Sequence, residues 1–147
     1  MVPVANRSGA ETGVRVEQTI QVFAAVSFFV IGLSHIVQRS VWIEFFARLH
    51  GLGRLGPFAE GFLYLNFGAL IVSFHNVWTG PEVLLTLIGW AQIFKALLRF
   101  AAPAVVLRTY ARMGPARAWQ IQVAGGLFVV LSALLVSLAI RAPQGAS

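Results

Sequence analysis

The amino-acid sequence predicts an all-α integral membrane protein, a four-helix bundle with a short interfacial amphipathic helix after the first span. Four apolar stretches lie at about residues 19–37, 58–75, 83–101 and 121–140. Each is long enough to cross a bilayer, because a hydrocarbon core about 30 Å thick requires roughly 20 helical residues. Helices are expected because lipid offers the backbone no hydrogen-bond partner. The chain is 58% hydrophobic and 11% charged, which leaves no room for a soluble catalytic domain.

The chain is expected to form one membrane domain over residues 17–141, with tails at residues 1–16 and 142–147. The first tail carries Arg7 and Arg15 and lacks the apolar core and small-residue cleavage site of a signal peptide. It is therefore interpreted as a short segment that precedes the first span.

The connection after the first span has the pattern of an amphipathic helix. Apolar residues recur there at three- and four-residue spacing, at Val41, Trp42, Phe45, Phe46 and Leu49. Glu44 and Arg48 form an i, i+4 pair beside them. We favour a membrane-surface anchor, with the aromatic rings at head-group depth. The alternative is a lid over a ligand entrance.

Turn signals separate the later elements. Gly51, Gly53, Gly56 and Pro57 precede the second span. Thr79-Gly80-Pro81-Glu82 supplies a cap, a turn and a proline at the start of the third. Because this connection is short, the second and third spans are predicted to form an antiparallel hairpin. Pro103 ends the third span, and Gly114-Pro115 precedes the fourth.

The distribution of arginine predicts the orientation. The first connection contains Arg39, Arg48 and Arg54, and the third contains Arg108, Arg112 and Arg117, whereas residues 76–82 contain none. Positive loops stay in the cytoplasm, so loops 1 and 3 are expected inside and both termini outside. The formal charge of +6 is expected to interact with phospholipid head groups and not with nucleic acid. A bacterial inner membrane is the predicted location.

A polar cluster is predicted inside the membrane. Gln92, Lys95 and Arg99 share one face of the third span, and depth along the helices brings Glu60 and His35 to a similar level. Glu60 is the acidic residue positioned to pair with these cations, and we favour a staple between the second and third spans. The alternative is a cytoplasmic pocket in which Lys95 and Arg99 hold an anionic head group while Glu60 and His35 move protons.

The histidines suggest a second, weaker site. His35 and His75 are candidate single axial ligands for a haem or a pigment, but they lie at opposite ends of their spans, which argues against one haem between them. No metal site is predicted, because the chain has no cysteine and no metal-ligating histidine spacing. The sequence identifies neither catalytic residues nor a cofactor.

The run Phe28-Phe29-Val30-Ile31-Gly32-Leu33-Ser34-His35-Ile36-Val37, followed by Trp42 and a short interfacial stretch, resembles the first span of DoxX-like small membrane proteins. The four-span plan and the length are similar as well. The proline that often follows such a histidine is replaced here by Gln38-Arg39-Ser40. The resemblance implies a bacterial inner-membrane protein associated with redox or quinone processes, and it carries over no catalytic residue.

These observations favour a small accessory or assembly subunit of a larger membrane complex over an enzyme. The expected partners are the lipid bilayer and other membrane subunits or further copies of the chain. One alternative is a carrier or small membrane enzyme that binds a hydrophobic ligand with an anionic or quinone head group. The other is a haem- or pigment-binding membrane protein.

Overall fold

The computed structural model describes residues 4–141, and this part of the chain consists of helices joined by short connections, with no β-strand. The predicted all-α class is therefore confirmed. The helices are α1 (Val4–Val37), α2 (Arg39–Gly51), α3 (Leu55–Phe74), α4 (Val83–Ala101), α5 (Pro103–Ala111) and α6 (Ala118–Arg141), with a short 3-10 turn at Pro115–Arg117.

Four segments are long and apolar enough to cross a membrane: Thr12–Val37, Leu55–Phe74, Val83–Ala101 and Pro115–Arg141. They correspond to the four predicted spans and make the chain a multi-pass membrane protein. The structure differs from the sequence analysis at the N-terminal end, where α1 begins at Val4 and continues through the segment expected to be a tail. Residues 1–3 and the predicted tail at residues 142–147 lie outside the described residues.

Helices α1 and α6 pack closely along one side of the bundle. Gly32 and Gly125 face each other at the crossing, where a Cβ on either residue would lie within 2.7 Å of the other's carbonyl oxygen. About two turns from this crossing, the Ser132 hydroxyl donates a 2.7 Å hydrogen bond to the Ala25 carbonyl oxygen. The missing side chains of the two glycines allow the backbones to approach, as is common between membrane helices.

Helices α3 and α4 form the predicted hairpin on the other side. A Cβ on Gly68 would lie 2.7 Å from the Gly89 carbonyl oxygen, and a Cβ on Gly61 would lie 2.8 Å from the Phe100 ring. Gly80 turns the chain between the helices in the left-handed conformation, with φ of 68°. Gly61 and Gly68 therefore lie on the face of α3 that packs against α4.

The two helix pairs pack tightly against each other at one end only. The core there contains Ile20, Ala24 and Phe28 of α1 with Ile71, Leu85 and Leu135 of the other three spans. These residues lie in the middle of α1, near the C-terminal end of α3 and near the N-terminal end of α4. At the opposite end of the bundle the pairs separate, and α2 lies across the gap.

Helix α2 is the interfacial amphipathic helix that the sequence predicts. It begins after Gln38, where φ of −115° and ψ of 43° interrupt the helical path from α1. Leu49 is buried with Val106 and Tyr110 of α5, whereas Glu44 and Arg48 are exposed and paired to each other. Pro103 sets α5 apart from α4, because the residue before a proline is disfavoured in the helical conformation. The fold thus brings α2 and α5 to the same end of the bundle.

Candidate functional site

A cavity of about 360 Å³ occupies the gap between the two helix pairs, beneath α2. This volume is within the range of small-molecule sites in proteins. Most of its wall is aromatic or aliphatic, and its polar side chains are Glu60, His35, Gln92 and the tyrosine Tyr64. The apolar wall consists of Phe28, Ile31, Trp42, Phe45, Phe46, Leu63, Phe67 and Phe128.

Glu60 is a buried carboxylate fixed by two donors. The Arg99 Nε atom lies 2.7 Å from Glu60 Oε2, and the Tyr110 hydroxyl donates to the same oxygen. The carboxylate is 7% exposed and the Arg99 side chain 13% exposed. The pairing that the sequence analysis favoured is therefore present, and it joins α3 to α4. Tyr110 extends this connection to α5.

The two cations of the predicted cluster lie outside the cavity wall. The Arg99 guanidinium stacks on the Tyr64 ring at 4.0 Å from its centroid, and Lys95 Nζ lies 5.6 Å from the same centroid. Arg99 also donates to the Lys95 carbonyl oxygen. Tyr64, by contrast, forms part of the wall. Of the five residues predicted to cluster, the cavity is therefore lined by Glu60, His35 and Gln92.

Gln92 carries a buried polar atom that needs a partner. Its side chain is 7% exposed and lines the cavity. Among the described residues, no group forms a hydrogen bond to its Oε1 atom. An unsatisfied buried carbonyl is unfavourable by about 1–3 kcal/mol. Gln92 is therefore a buried amide of the cavity wall whose oxygen is enclosed and unpaired.

His35 contributes a ring nitrogen to the same space. Its Nδ1 atom lies 2.7 Å from the Ile31 carbonyl oxygen, which accepts a hydrogen bond only if Nδ1 is protonated. In the neutral ring Nε2 then carries the lone pair. The imidazole stacks on Trp42, with ring centroids 3.8 Å apart, and the Trp42 Nε1 atom donates to the Ser34 hydroxyl. These contacts hold α2 against α1 at the cavity.

Tyr110 lies in α5, outside the spanning segments, and its hydroxyl stays neutral. Burial raises the pKa of this phenol, and the hydrogen bond to the Glu60 carboxylate raises it further. The phenol therefore remains a hydrogen-bond donor to Glu60 at physiological pH.

His75, the other candidate axial ligand, lies far from this cavity. It follows α3 at the end opposite α2, is 1% exposed, and its Nε2 atom lies 3.0 Å from the Glu82 carbonyl oxygen. An axial role for either histidine stays a prediction. Within residues 4–141, no group of three or more His, Cys, Asp or Glu side chains is arranged to hold a metal ion.

Sequence reasoning missed two tyrosines of this site. Tyr64 is four residues after Glu60 and therefore lies on the same face of the helix. This spacing alone could have placed Tyr64 in the predicted polar cluster. Tyr110 lies between Arg108 and Arg112, the two residues of this segment that the sequence analysis used to predict the orientation. Its side chain faces the opposite way and is buried. No spacing in the sequence relates it to Glu60, which is 50 residues away.

No family model, curated protein or solved structure matches this chain. The resemblance of its first span to DoxX-like proteins accordingly stays a prediction.

Proposed function

We propose that this protein binds a small apolar molecule in the cavity between its two helix pairs. The proposal develops the ligand-binding alternative of the sequence analysis, which expected an anionic or quinone head group on the ligand. Its ligand would come from the bilayer, because the exposed edge of the wall is apolar: Leu63 is 66% exposed, Ile31 38% and Phe45 37%. A molecule dissolved in lipid could reach the cavity between these side chains without crossing water.

The observation that carries this proposal is the cavity itself with its polar groups. A bundle that served only as a structural subunit could fill this gap with side chains, since membrane helices normally pack without large voids. Here the gap is instead walled by aromatic rings, with a carboxylate, an imidazole and an amide on the same wall. A largely apolar pocket with a few converging polar groups is the usual form of a small-molecule site.

We further propose that the α2 end of the bundle faces the bacterial cytoplasm. Six exposed arginines lie in α2, α5 or the adjoining connections, at Arg39, Arg48, Arg54, Arg108, Arg112 and Arg117, whereas the exposed Arg15 and Arg141 lie at the opposite end. The positive-inside tendency supports this orientation. The polar groups of the cavity would then lie near the inner head groups, and its aromatic end, at Phe28 and Phe67, about 10 Å deeper.

Mass spectrometry of the intact protein, extracted from native membranes in mild detergent, tests ligand binding. We expect one small molecule to accompany the wild-type chain. Ile31→Phe places a larger side chain in the cavity wall and should reduce the bound fraction at least fivefold. Leu33→Phe is the matched control, because Leu33 is exposed on the same helix and outside the wall. Recovery of the wild-type chain without any bound molecule would contradict the proposal.

A second proposal is the accessory or assembly subunit favoured by the sequence. It is supported by the outward side of α6, where nothing lies within 4 Å of a Cβ built on Gly126 and Ala133 is exposed. A small-residue face that the bundle does not use suits contact with another membrane helix. Stoichiometric co-purification with a second membrane protein would support this role, and a free monodisperse chain would oppose it.

A further inference from the structure

We infer that the cavity takes a neutral hydroxyl-bearing aromatic molecule, of the phenol type, whose hydroxyl donates to the polar wall. This inference rests on the proposed function and specifies the chemical class of its ligand. It follows from which hydrogen-bonding atoms reach the cavity, from the charges around them, and from the composition of the remaining wall.

The atom offered to a ligand is an acceptor without a donor. Gln92 lines the cavity, but its Oε1 atom is enclosed by protein. His35 uses Nδ1 for the Ile31 carbonyl oxygen, which leaves the Nε2 lone pair for another group. A ligand that brings a donor satisfies such an atom, whereas one that brings only acceptors leaves it unpaired.

An anionic head group is disfavoured. The carboxylate of Glu60 in the wall is already paired with Arg99, so a second negative charge would be buried without a counter-ion. The cations that could compensate lie elsewhere. Arg99 is engaged by Glu60 and stacks on Tyr64, and Lys95 lies near the same ring.

A cationic head group is disfavoured for the complementary reason. Arg99 already neutralises the Glu60 carboxylate at 2.7 Å. A ligand cation in the cavity would compete with this guanidinium and would be repelled by it. Aromatic rings attract cations, so a cationic probe is one of the four ligands compared below.

The rest of the wall is suited to a ring. Phe28 contacts Phe67 edge-on, with centroids 5.5 Å apart, and stacks with Phe128 at 5.6 Å. Trp42, Phe45 and Phe46 of α2 surround the other end. Aromatic rings attract another ring through offset-stacked and edge-on contacts. A phenol ring can therefore lie among them while its hydroxyl reaches the imidazole.

Four probes that share a ring and a butyl chain separate these classes: 4-butylphenol, 4-butylanisole, 4-butylbenzoate and 4-butylbenzylammonium. Each is titrated against the purified full-length chain in detergent, with the bound fraction measured by mass spectrometry of the intact complex. We expect half-saturation by the phenol at about one tenth of the anisole concentration, because the methyl ether cannot donate. The two charged probes should bind more weakly than the anisole.

His35→Phe keeps a ring against Trp42 and removes the acceptor, so it should raise the half-saturating phenol concentration to that of the anisole and leave anisole binding unchanged. Asn66→Leu is the control, since Asn66 is an exposed amide in α3 that bonds its own helix at the Phe62 carbonyl oxygen. Its phenol binding should match that of the wild type. The comparison of phenol with anisole in the wild-type chain stands even where a variant fails to fold.

Equal binding of the four probes would overturn the hydroxyl inference while supporting an apolar binding site. Preference for the benzoate or the ammonium would overturn it in favour of that charge. Failure of all four probes, with a native molecule still accompanying the chain, would overturn the inference alone. Failure of the probes together with the absence of any native molecule would overturn the proposed function as well.

Discussion

At the scale of single residues, Glu60 determines the character of the site. A carboxylate within a membrane bundle is tolerated only when partners replace its hydration. Arg99 and Tyr110 supply these partners from two other helices. The same residue therefore stabilises the bundle and gives one wall of the cavity a negative charge that is already paired.

Removing the charge of Glu60 should be much more destabilising than removing that of Glu44. Glu60→Gln leaves the largely buried Arg99 without its counter-ion, and we expect a loss of about 3–5 kcal/mol in the free energy of unfolding. Glu44→Gln breaks a pair whose side chains are 61% and 78% exposed. This substitution should change the free energy of unfolding by less than about 1 kcal/mol. Denaturant titration in mixed micelles measures both. Equal losses would show that the Glu60–Arg99 pair is not a buried staple.

Tyr110→Phe should destabilise the protein in a pH-dependent way. Loss of a hydrogen bond to a carboxylate is expected to lower the free energy of unfolding by about 1.5–3 kcal/mol at neutral pH. The pKa of Tyr110 is raised in the folded state, so its contribution is fully present below the ordinary phenol pKa of 10.0. It is lost as the pH rises from there toward the higher folded-state pKa.

The stability difference between wild type and Tyr110→Phe should therefore stay constant up to about pH 10 and shrink from pH 10 to pH 12. Thr109→Val, an exposed change in the same helix, should give a small and pH-independent difference. A difference for Tyr110→Phe that stays constant over this range would contradict the contact with Glu60.

At the scale of the elements, the helices and their order are predictable from the sequence, whereas their contacts are not. The four spans follow from length and hydropathy, and α2 follows from the spacing of its aromatic residues. The contact between α1 and α6 uses Gly125, whereas its neighbour Gly126 shares a stripe of small residues with Ala133 and Ser137. Adjacent glycines differ by 100° around a helix, and hydropathy does not indicate which of the two faces a partner.

This pair of glycines offers a test of the α1–α6 contact. Gly125→Ala introduces a Cβ only 2.6 Å from the Gly32 carbonyl oxygen, and we expect a destabilisation of about 1–3 kcal/mol. Gly126→Ala meets nothing within 4 Å and should be neutral or slightly stabilising, because alanine favours the helix. Thermal unfolding of the two variants in the same detergent compares them directly. The opposite order of stability would place the contact on the other face of α6.

The candidate site was predictable only in part, because the sequence gives the depth of a residue along its span but not the direction in which its side chain points. Depth along the spans correctly brought Glu60 and Arg99 together, because a buried carboxylate needs a cation and few are within reach. Depth does not define direction, so the position of Lys95 and Arg99 outside the cavity wall could not be derived. The cavity arises from the divergence of two helix pairs, and this is a property of packing that no single segment encodes.

At the scale of the whole molecule, the fold consists of two glycine-mediated helix pairs that meet at one end and separate at the other. The meeting end is filled by an aliphatic core. The separated end is covered by α2, which brings Trp42, Phe45 and Phe46 to the cavity. This arrangement is the basis for a binding site that opens toward lipid and has its polar groups near the α2 end.

Trp42 provides the most direct test of this central claim, because it is half-buried in the cavity wall whereas Trp78, Trp90 and Trp119 are exposed. The measurement is fluorescence quenching by 1-bromo-4-butylbenzene in lipid nanodiscs, with Trp42→Phe subtracted to isolate the Trp42 emission. We predict that quenching of Trp42 saturates at a low ratio of probe to lipid and is weakened by Ile31→Phe, while quenching of the other tryptophans rises linearly. Linear quenching of Trp42, unchanged by Ile31→Phe, would contradict the existence of a ligand-binding cavity.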